Sequence, residues 1–333
     1  MIEVKNVTKR YGDKTVVDNL NFEVNEGEIF GFIGPSGSGK TTTIRLLTGV
    51  ITPTEGQVRL MGEDPSHQTS KMREKFGYLP QLFVLYPNLT VRENLNFAGS
   101  LYGMSPRARS KRIKELLGFV ELAEAANRTA TNISGGMLRR LELAAALLHD
   151  PPLLFADEPT AGIDPVLRGK FWEEFRHLRS MGRTVFVTTQ YVGETEYCDR
   201  VGIIRAGKLL AVDTPEGLRR SALGGEIVDI KSDSLTPEGV HMLAQLPFVH
   251  QMQTRNRNEL RAYVVEASQA IPALIESLKS AGCNVTSVEE YKPSFDEIFI
   301  DIMKREDSID AANAANGNGN GKAVAAGGAN AGH

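Results

Sequence analysis

The segment that most constrains this chain is Gly34–Thr41, with the sequence Gly-Pro-Ser-Gly-Ser-Gly-Lys-Thr. It fits the pattern G-x-x-x-x-G-K-[ST] at every fixed position. An apolar run, Ile29–Ile33, precedes it, and a helix-like stretch ending at Gly49 follows it. In such a strand, loop and helix, glycines let successive backbone N–H groups surround a polyphosphate at the helix N-terminus. A glycine-rich turn that binds nothing is the alternative, and the full pattern in its context favours a nucleotide site.

The end of this segment supplies the side chains with the clearest chemistry. We expect Lys40 to reach the β and γ phosphates of a nucleotide and the Thr41 hydroxyl to ligate Mg²⁺. The candidate nucleotide-binding residues here are Gly34, Pro35, Ser36, Gly37, Ser38, Gly39, Lys40, Thr41 and Thr42.

Composition restricts the class of protein. The chain has 333 residues, 41% of them hydrophobic and 24% charged, with a net charge of -3, which is typical of a globular chain of more than one domain and gives no sign of a nucleic-acid surface. Cys198 and Cys283 lack metal-ligand spacing, so we expect two reduced thiols in a cytoplasmic chain. The start, Met1–Lys5, does not resemble a signal peptide, and no apolar run approaches the roughly 20 residues of a spanning helix. If the protein works at a membrane, we expect another chain to cross it.

Hydrophobic patterns predict an α/β domain over residues 1–222. Residues 2–8 and 20–24 alternate as strands around a turn, which predicts an antiparallel β layer ahead of the phosphate loop. From about 88 to 150 the pattern is helical, as in Ser105-Pro106, a cap followed by a proline at the first helical position. Further buried strands alternating with helices predict a largely parallel sheet, and hence a P-loop NTPase fold. These strands are expected at 57–60, 76–79, 153–158, 184–188 and 201–204.

The C-terminal third has a different character. Residues 226–291 read as strand, helix, strand, strand, helix, strand, which predicts a small α+β accessory domain of ferredoxin-like order within 226–305. The Ala, Asn and Gly-rich segment 307–333 has almost no large apolar residue, so we expect it to be a disordered tail.

Two carboxylates complete a candidate catalytic site. Asp157 and Glu158 end a buried strand, at the sheet edge where the phosphate loop of a parallel sheet also emerges. Asp157 would hold Mg²⁺, directly or through water, and Glu158 would act as general base towards the attacking water. The pair could instead simply begin a loop. Tyr11, upstream of the phosphate loop, could stack on an adenine ring or pack on a strand edge.

Taken together, residues 1 to about 220 resemble the nucleotide-binding subunits of ATP-binding cassette (ABC) transporters. Asn132–Met137 is similar to the signature motif of that family, and Ser134, Gly135 and Gly136 at a helix N-terminus would form a second anion site. The resemblance implies that the signature of one subunit closes over the ATP held by its partner. It therefore implies an ATP-dependent, head-to-tail homodimer and an integral membrane permease as the other partner.

The resemblance also assigns individual residues. Tyr11 matches the adenine-stacking aromatic residue, and Gln81 matches the glutamine that senses Mg²⁺ and the attacking water. Met137 departs from the usual glutamine, from which we expect a modest effect. Gln190 stands where the family usually has a histidine that contacts the γ-phosphate; an amide can donate to phosphate but cannot become cationic. We expect hydrolysis to survive this change at a reduced rate.

Less specific similarities indicate the subfamily. The segments 86–94 and 191–200, and Phe295–Phe299 at the end of the accessory domain, resemble subunits of bacterial ABC-2 type exporters, which include drug-resistance and polyketide exporters. The expected function is ATP hydrolysis that powers a separate permease, on the inner face of the cell membrane, for export of a drug-like, polyketide or lipid substrate. The alternatives are a weakly hydrolysing, ATP-gated regulatory module and a soluble ABC protein acting on ribosomes or DNA.

Overall fold

The fold was obtained as a computed structural model that describes residues 1–67 and 69–304. Met1–Pro215 forms one compact unit, and a second unit begins at Glu216. The predicted tail, 307–333, lies outside the described residues. No helix in the described ranges combines the length and apolar character needed to span a bilayer.

The first unit alternates strands and helices along most of its length. Its strands are β1 (Ile2–Tyr11), β2 (Lys14–Val24), β3 (Ile29–Ile33), β4 (Glu55–Leu60), β5 (Phe76–Leu79), β6 (Leu153–Asp157), β7 (Thr184–Thr189), β8 (Arg200–Arg205) and β9 (Lys208–Asp213). Its helices are α1 (Lys40–Leu47), α2 (Ser70–Glu74), α3 (Val91–Leu101), α4 (Pro106–Phe119), α5 (Gly135–Ala146) and α6 (Pro165–Ser180).

A mixed sheet forms the centre of this unit, in the order β5-β6-β7-β3-β8-β9. Its pairings are parallel except for β8 with β9, which are antiparallel. Every residue of β3, β6 and β7 is buried, as expected for strands covered on both faces. The carboxyl ends of these three strands meet at one edge, which is where the predicted chemical residues follow them.

The predicted antiparallel layer is also present, in the order β2-β1-β4. Apolar side chains of this layer share a core with the mixed sheet and α1. At its centre Phe22 of β2 stacks on Phe30 and Phe32 of β3, with ring centroids 5.7 and 5.5 Å apart, and on Phe186 of β7 at 6.3 Å. This aromatic cluster fixes β3, and with it the start of the phosphate loop, against the layer below.

The region between β5 and β6 is helical, as predicted. Ser105 caps α4 by accepting a hydrogen bond from the Ala108 amide, with Pro106 in the first turn. Thr90 and Glu93 form a capping box at the start of α3. These caps satisfy N–H groups that a helix start leaves without partners, so the helix boundaries follow from local sequence.

The second unit has its own core. It contains α7 (Pro215–Leu223), which starts at the boundary, then β10 (Glu226–Ser232), α8 (Pro237–Ala244), β11 (Val249–Asn256), β12 (Glu259–Val264), α9 (Ala267–Ser280), β13 (Val285–Tyr291) and a helix over 295–304. The strands form an antiparallel sheet in the order β11-β12-β10-β13, and apolar side chains from this sheet, α8 and α9 form the core. The element order and the sheet order both agree with the predicted ferredoxin-like α+β fold.

Candidate functional site

The phosphate loop leaves β3 and enters α1 in a conformation that requires its glycines. Gly37 and Gly39 have φ values of 77° and 108°, in the region where side chains with a Cβ are strained. A Cβ on Gly34 would lie 2.1 Å from the backbone oxygen of Ile204. Gly34 also donates its N–H to the Thr189 carbonyl at 3.3 Å, and Ser38 accepts from the Gly207 N–H at 2.9 Å. The loop is thus held against neighbouring strands in a conformation that its glycines permit.

Lys40 lies at the start of α1 with its side chain only 4% exposed. Its Nζ donates to the carbonyls of Gly34 at 2.8 Å and Pro35 at 3.1 Å. It also forms an ion pair with Glu158, Nζ to Oε1 3.1 Å. A lysine and a carboxylate that are distant in the sequence therefore meet at the phosphate loop. Thr41 and Thr42, the next residues of α1, are partly exposed.

Glu158 follows β6 and contacts more than one predicted site residue. Its Oε1 pairs with Lys40, and its Oε2 accepts from the Gln81 side-chain amide at 3.1 Å. Its backbone N–H donates to the carbonyl and the hydroxyl of Thr188, both at 3.0 Å. Its φ is 46°, in the left-handed region that is uncommon for a residue with a side chain. Such a conformation indicates that the surroundings of Glu158 dictate its geometry.

Asp157 is fully buried at the end of β6. The Thr188 hydroxyl donates to its Oδ1 at 2.6 Å, while its Oδ2 has no hydrogen-bond partner among the described residues. A buried carboxylate oxygen without a partner is costly unless a ligand completes it. Because Mg²⁺ prefers oxygen ligands such as carboxylates and hydroxyls, Asp157 with Thr41 and Gln81 fits that ion.

Gln190 directly follows β7 and is exposed at the edge of the phosphate loop. Its Oε1 accepts a hydrogen bond from the Ser36 hydroxyl at 2.9 Å. The structure therefore brings Gln190 to the loop, where its side-chain amide group can donate to a phosphate.

Tyr11 ends β1 and its side chain is half-exposed. The Lys9 ammonium lies 5.1 Å from the centre of its ring. The ring is thus an accessible aromatic surface, as stacking on a base requires, rather than a packed strand-edge residue.

The signature residues line a separate groove. Ser134 caps α5 by accepting from the Met137 N–H at 3.3 Å, and Gly135 and Gly136 begin the helix. The groove has a volume of about 810 Å³ and no phosphate-loop residue among the residues that line it. Those residues are Gln81, Phe83, Ser134–Met137, Arg139, Arg140, Ala161–Asp164, Val166, Leu167 and Lys170. The structure therefore brings Lys40, Glu158 and Gln190 to the loop, while Gln81 both contacts Glu158 and lines the groove of the signature motif.

Sequence reasoning did not identify Arg139, whose buried guanidinium contacts several of these segments. It donates to the carbonyls of Asp157 at 3.3 Å, Glu158 at 3.2 Å and Pro159 at 2.9 Å. The available signal was Arg139 three residues before Glu142, a spacing that places opposite charges on one face of a helix.

Comparison with known proteins identifies the family. The sequence pattern of the family described as ABC transporter matches residues 17–161, and that of the DrrA1-3-like ATP-binding protein C-terminal domain matches residues 214–303. The chain is 35% identical over 309 residues to the linearmycin resistance ATP-binding protein LnrL of Bacillus subtilis (strain 168), covering 92% of this chain and 99% of LnrL.

Other similarities cover about two thirds of this chain. The probable multidrug ABC transporter ATP-binding protein YbhF of Escherichia coli (strain K12) is 41% identical over 229 residues, or 69% of this chain, which spans only 40% of the length of YbhF. A dimeric ATP-binding cassette, MJ0796, solved in a post-hydrolysis state with ADP and Pi, superposes with a TM-score of 0.59 at 31% identity, over 64% of this chain and 98% of that cassette. The predicted P-loop NTPase fold with its accessory domain is confirmed, and the chain carries an ABC ATPase domain. On this geometry and these similarities, the chain belongs to the family of ABC transporter ATP-binding proteins.

Proposed function

We propose that this chain is the ATP-hydrolysing subunit of an ABC exporter, which dimerises on ATP and powers a separate membrane permease. The observation that carries the proposal is the cluster of Lys40, Glu158 and Gln81 at the phosphate loop, with Glu158 contacting both of the others. This cluster joins the lysine that would bind phosphate, the proposed general base and the glutamine in a single arrangement.

The roles within the site follow from these contacts. Backbone N–H groups at the end of the phosphate loop would bind the β and γ phosphates, the Lys40 ammonium would donate hydrogen bonds to them, and Tyr11 would stack on the adenine. Glu158 would accept a proton from the attacking water, with Gln81 and Gln190 orienting that water and the γ-phosphate.

Thr41, Asp157 and Gln81 would hold Mg²⁺, which supplies charge neutralisation of the phosphates when it is bound. The unpartnered Oδ2 of Asp157 supports this assignment, because it is a buried oxygen that otherwise lacks a partner among the described residues.

A head-to-tail homodimer would complete each site. Ser134–Gly136 lie at the N-terminus of α5, where the helix dipole and backbone N–H groups favour an anion, and the groove beside them is open. Since no phosphate-loop residue lines that groove, its anion would be the γ-phosphate of ATP bound to a second copy. The similarity to a dimeric cassette supports this proposal.

The partner that the chain would drive is an integral membrane permease. Leu82, Phe83 and Val84, next to Gln81, are 78%, 55% and 68% exposed, and Tyr86 and Leu101 add to this apolar surface. An apolar surface of this kind, beside a catalytic glutamine, suits a protein partner rather than water. The subunit would thereby lie on the cytoplasmic face of the membrane. Because a relative is named for linearmycin resistance and another for multidrug transport, we propose a drug-like, polyketide or lipid substrate.

Replacing Glu158 by glutamine tests hydrolysis. The Glu158→Gln variant keeps the shape of the side chain and loses the base, so kcat for Mg-ATP should fall at least about 100-fold while an ATP-bound dimer accumulates in size-exclusion chromatography. Glu26→Gln, in an exposed turn ahead of β3, serves as the matched control and should leave both readouts unchanged. A parent that hydrolyses no ATP, or a variant that behaves as the parent does, would favour an ATP-gated regulatory module.

The permease assignment needs a separate test. Replacing Leu82 and Phe83 together by serine should abolish co-purification with an integral membrane permease from detergent-solubilised membranes and leave ATP binding intact. Co-purification with ribosomes or DNA instead would support the alternative of a soluble ABC protein.

A further inference from the structure

The guanidinium of Arg139 is 4% exposed and surrounded by backbone oxygens. Its Nε donates to the Pro159 carbonyl, and its Nη2 donates to the carbonyls of Asp157 and Glu158. These carbonyls belong to the turn in which β6 ends. A planar guanidinium carries five N–H donors in a fixed arrangement, so it fixes the relative positions of the oxygens that it binds.

The remaining nitrogen of Arg139 connects to the loop that carries Gln81. Its Nη1 donates to the Pro80 carbonyl and to Oε2 of Glu142, the latter at 2.9 Å. The other oxygen of Glu142, Oε1, accepts from the Val84 N–H at 2.9 Å. The buried Arg139–Glu142 pair therefore holds the residues on both sides of Gln81, and Gln81 itself donates to Glu158.

Both members of this pair lie on α5, the helix that Ser134 caps. The pair thus joins three segments with chemical roles in the proposed mechanism: the signature helix, the Asp157-Glu158 turn and the Gln81 loop. Glu158 needs such external support because its φ of 46° is uncommon for a residue with a Cβ. Burial raises the pKa of the Glu142 carboxyl, and its hydrogen bonds with the Val84 N–H and the Arg139 guanidinium act against that shift.

We propose that Arg139 is a positioning residue for Glu158 and Gln81, and that with Glu142 it transmits displacement of the signature helix to both of them. This inference rests on the proposed hydrolysis of ATP. When a second copy's nucleotide pulls on Ser134–Gly136, α5 moves, and Arg139 carries the carbonyl of Glu158 and the start of the Gln81 loop with it. Closure of the dimer and alignment of the general base become one event.

The test compares variants of the full chain. Breaking a buried ion pair by removing one partner can unfold a protein, so the main variant is the double substitution Arg139→Met with Glu142→Leu, which removes both charges and preserves apolar packing. Arg139→Lys keeps the charge but not the planar set of donors. Arg112→Gln is the matched control, because Arg112 also joins a carbonyl and a carboxylate, those of Leu147 at 3.2 Å and Asp150 at 2.8 Å, away from the phosphate loop.

The kinetic expectation separates positioning from a purely structural role. The double variant and Arg139→Lys should lose roughly 10- to 100-fold in kcat, while the Kd for ATP stays within about twofold of the parent's value. In a Glu158→Gln background, Arg139→Lys should cause no further loss, because Arg139 acts through Glu158. Three results would each overturn the proposal. They are an unchanged kcat, a fall in kcat matched by a loss of ATP binding, and a further loss of kcat when Arg139→Lys is added to Glu158→Gln.

A second measurement needs no turnover. Hydrogen exchange at the Val84 amide should accelerate in the double variant and stay at the parent's rate in Arg112→Gln, because only the former removes its acceptor. Unchanged protection of Val84 would overturn the link to the Gln81 loop. A parent chain without ATPase activity would instead contradict the proposed function, and the exchange result would still decide whether the link exists.

Discussion

Gln190 illustrates how a single side chain can set a rate without deciding whether the site forms. The ion pair between Lys40 and Glu158 does not involve Gln190, which accepts a hydrogen bond from the Ser36 hydroxyl of the phosphate loop. A glutamine donates a neutral hydrogen bond, whereas a histidine can bring a positive charge towards the γ-phosphate.

We therefore expect Gln190→His to raise the steady-state ATPase rate by up to about tenfold, since charge-assisted hydrogen bonds are stronger than neutral ones. The variant should also gain a pH dependence of kcat between about pH 6 and 7, which the parent lacks because glutamine does not titrate. Rates measured across this range at saturating Mg-ATP provide the check. A parent with no turnover at all, restored by histidine, would show that Gln190 abolishes hydrolysis rather than slowing it.

At the scale of elements, α6 carries an acid that the fold holds in an unfavourable environment. Burial raises the pKa of Glu174 to about 8, Arg140 and Lys170 act against that shift, and Glu121 and Glu173 add to it. Its Oε2 is buried and has no hydrogen-bond partner among the described residues. Between its unfolded pKa and about 8 the folded protein retains a proton that the unfolded chain releases, so stability falls as pH rises through that window.

Glu174→Gln should remove this loss of folding stability at high pH. At pH 9 the variant should exceed the parent in free energy of unfolding by roughly 2–4 kcal/mol, and at pH 5 the two should differ little. Denaturant unfolding at the two pH values measures the difference, and Glu124→Gln, at an exposed position that does not contribute to the shift, should show none. A constant offset between Glu174→Gln and the parent at both pH values would contradict the assignment.

Local sequence predicted most elements because their signals are local. The cap at Ser105-Pro106 marks the start of α4, and the strands and helices of 226–291 occur in the predicted order. Strand β9 was missed, since Lys208–Asp213 is only partly buried and does not alternate clearly. Its available signal was Ala206-Gly207, where both residues have positive φ, as in a tight hairpin turn.

Long-range contacts were beyond the reach of sequence patterns. That Glu158 and the phosphate loop converge follows from parallel topology, but the ion pair with Lys40 depends on the depth of each side chain in the folded protein. The role of Arg139 was hidden for a related reason: its partners in the β6 turn are backbone carbonyls, which every residue has and which no residue type reveals.

At the scale of the whole molecule, the chain has a separate apolar core in each compact unit. The first includes Leu60 and the second includes Leu274, both fully buried. We expect differential scanning calorimetry to resolve an unfolding transition for each unit, because a unit with its own core can unfold by itself.

Truncating either leucine should affect one transition only. Leu274→Ala should cost about 3 kcal/mol and lower the transition of the second unit by roughly 10–20 °C. Leu60→Ala is the matched variant and should lower the other transition in the same way. A single transition that both substitutions move equally would mean that the units unfold together.

The ion pair between Lys40 and Glu158 has a consequence for when Glu158 is available as a general base. The ammonium of Lys40 lies 3.1 Å from Oε1 of Glu158, so the phosphate-binding group and the general base hold each other. Incoming phosphates compete for the same ammonium, so substrate arrival itself would release the carboxylate. Binding of the nucleotide would thus free the carboxylate that acts on it, so that the base becomes available only when its own substrate is bound.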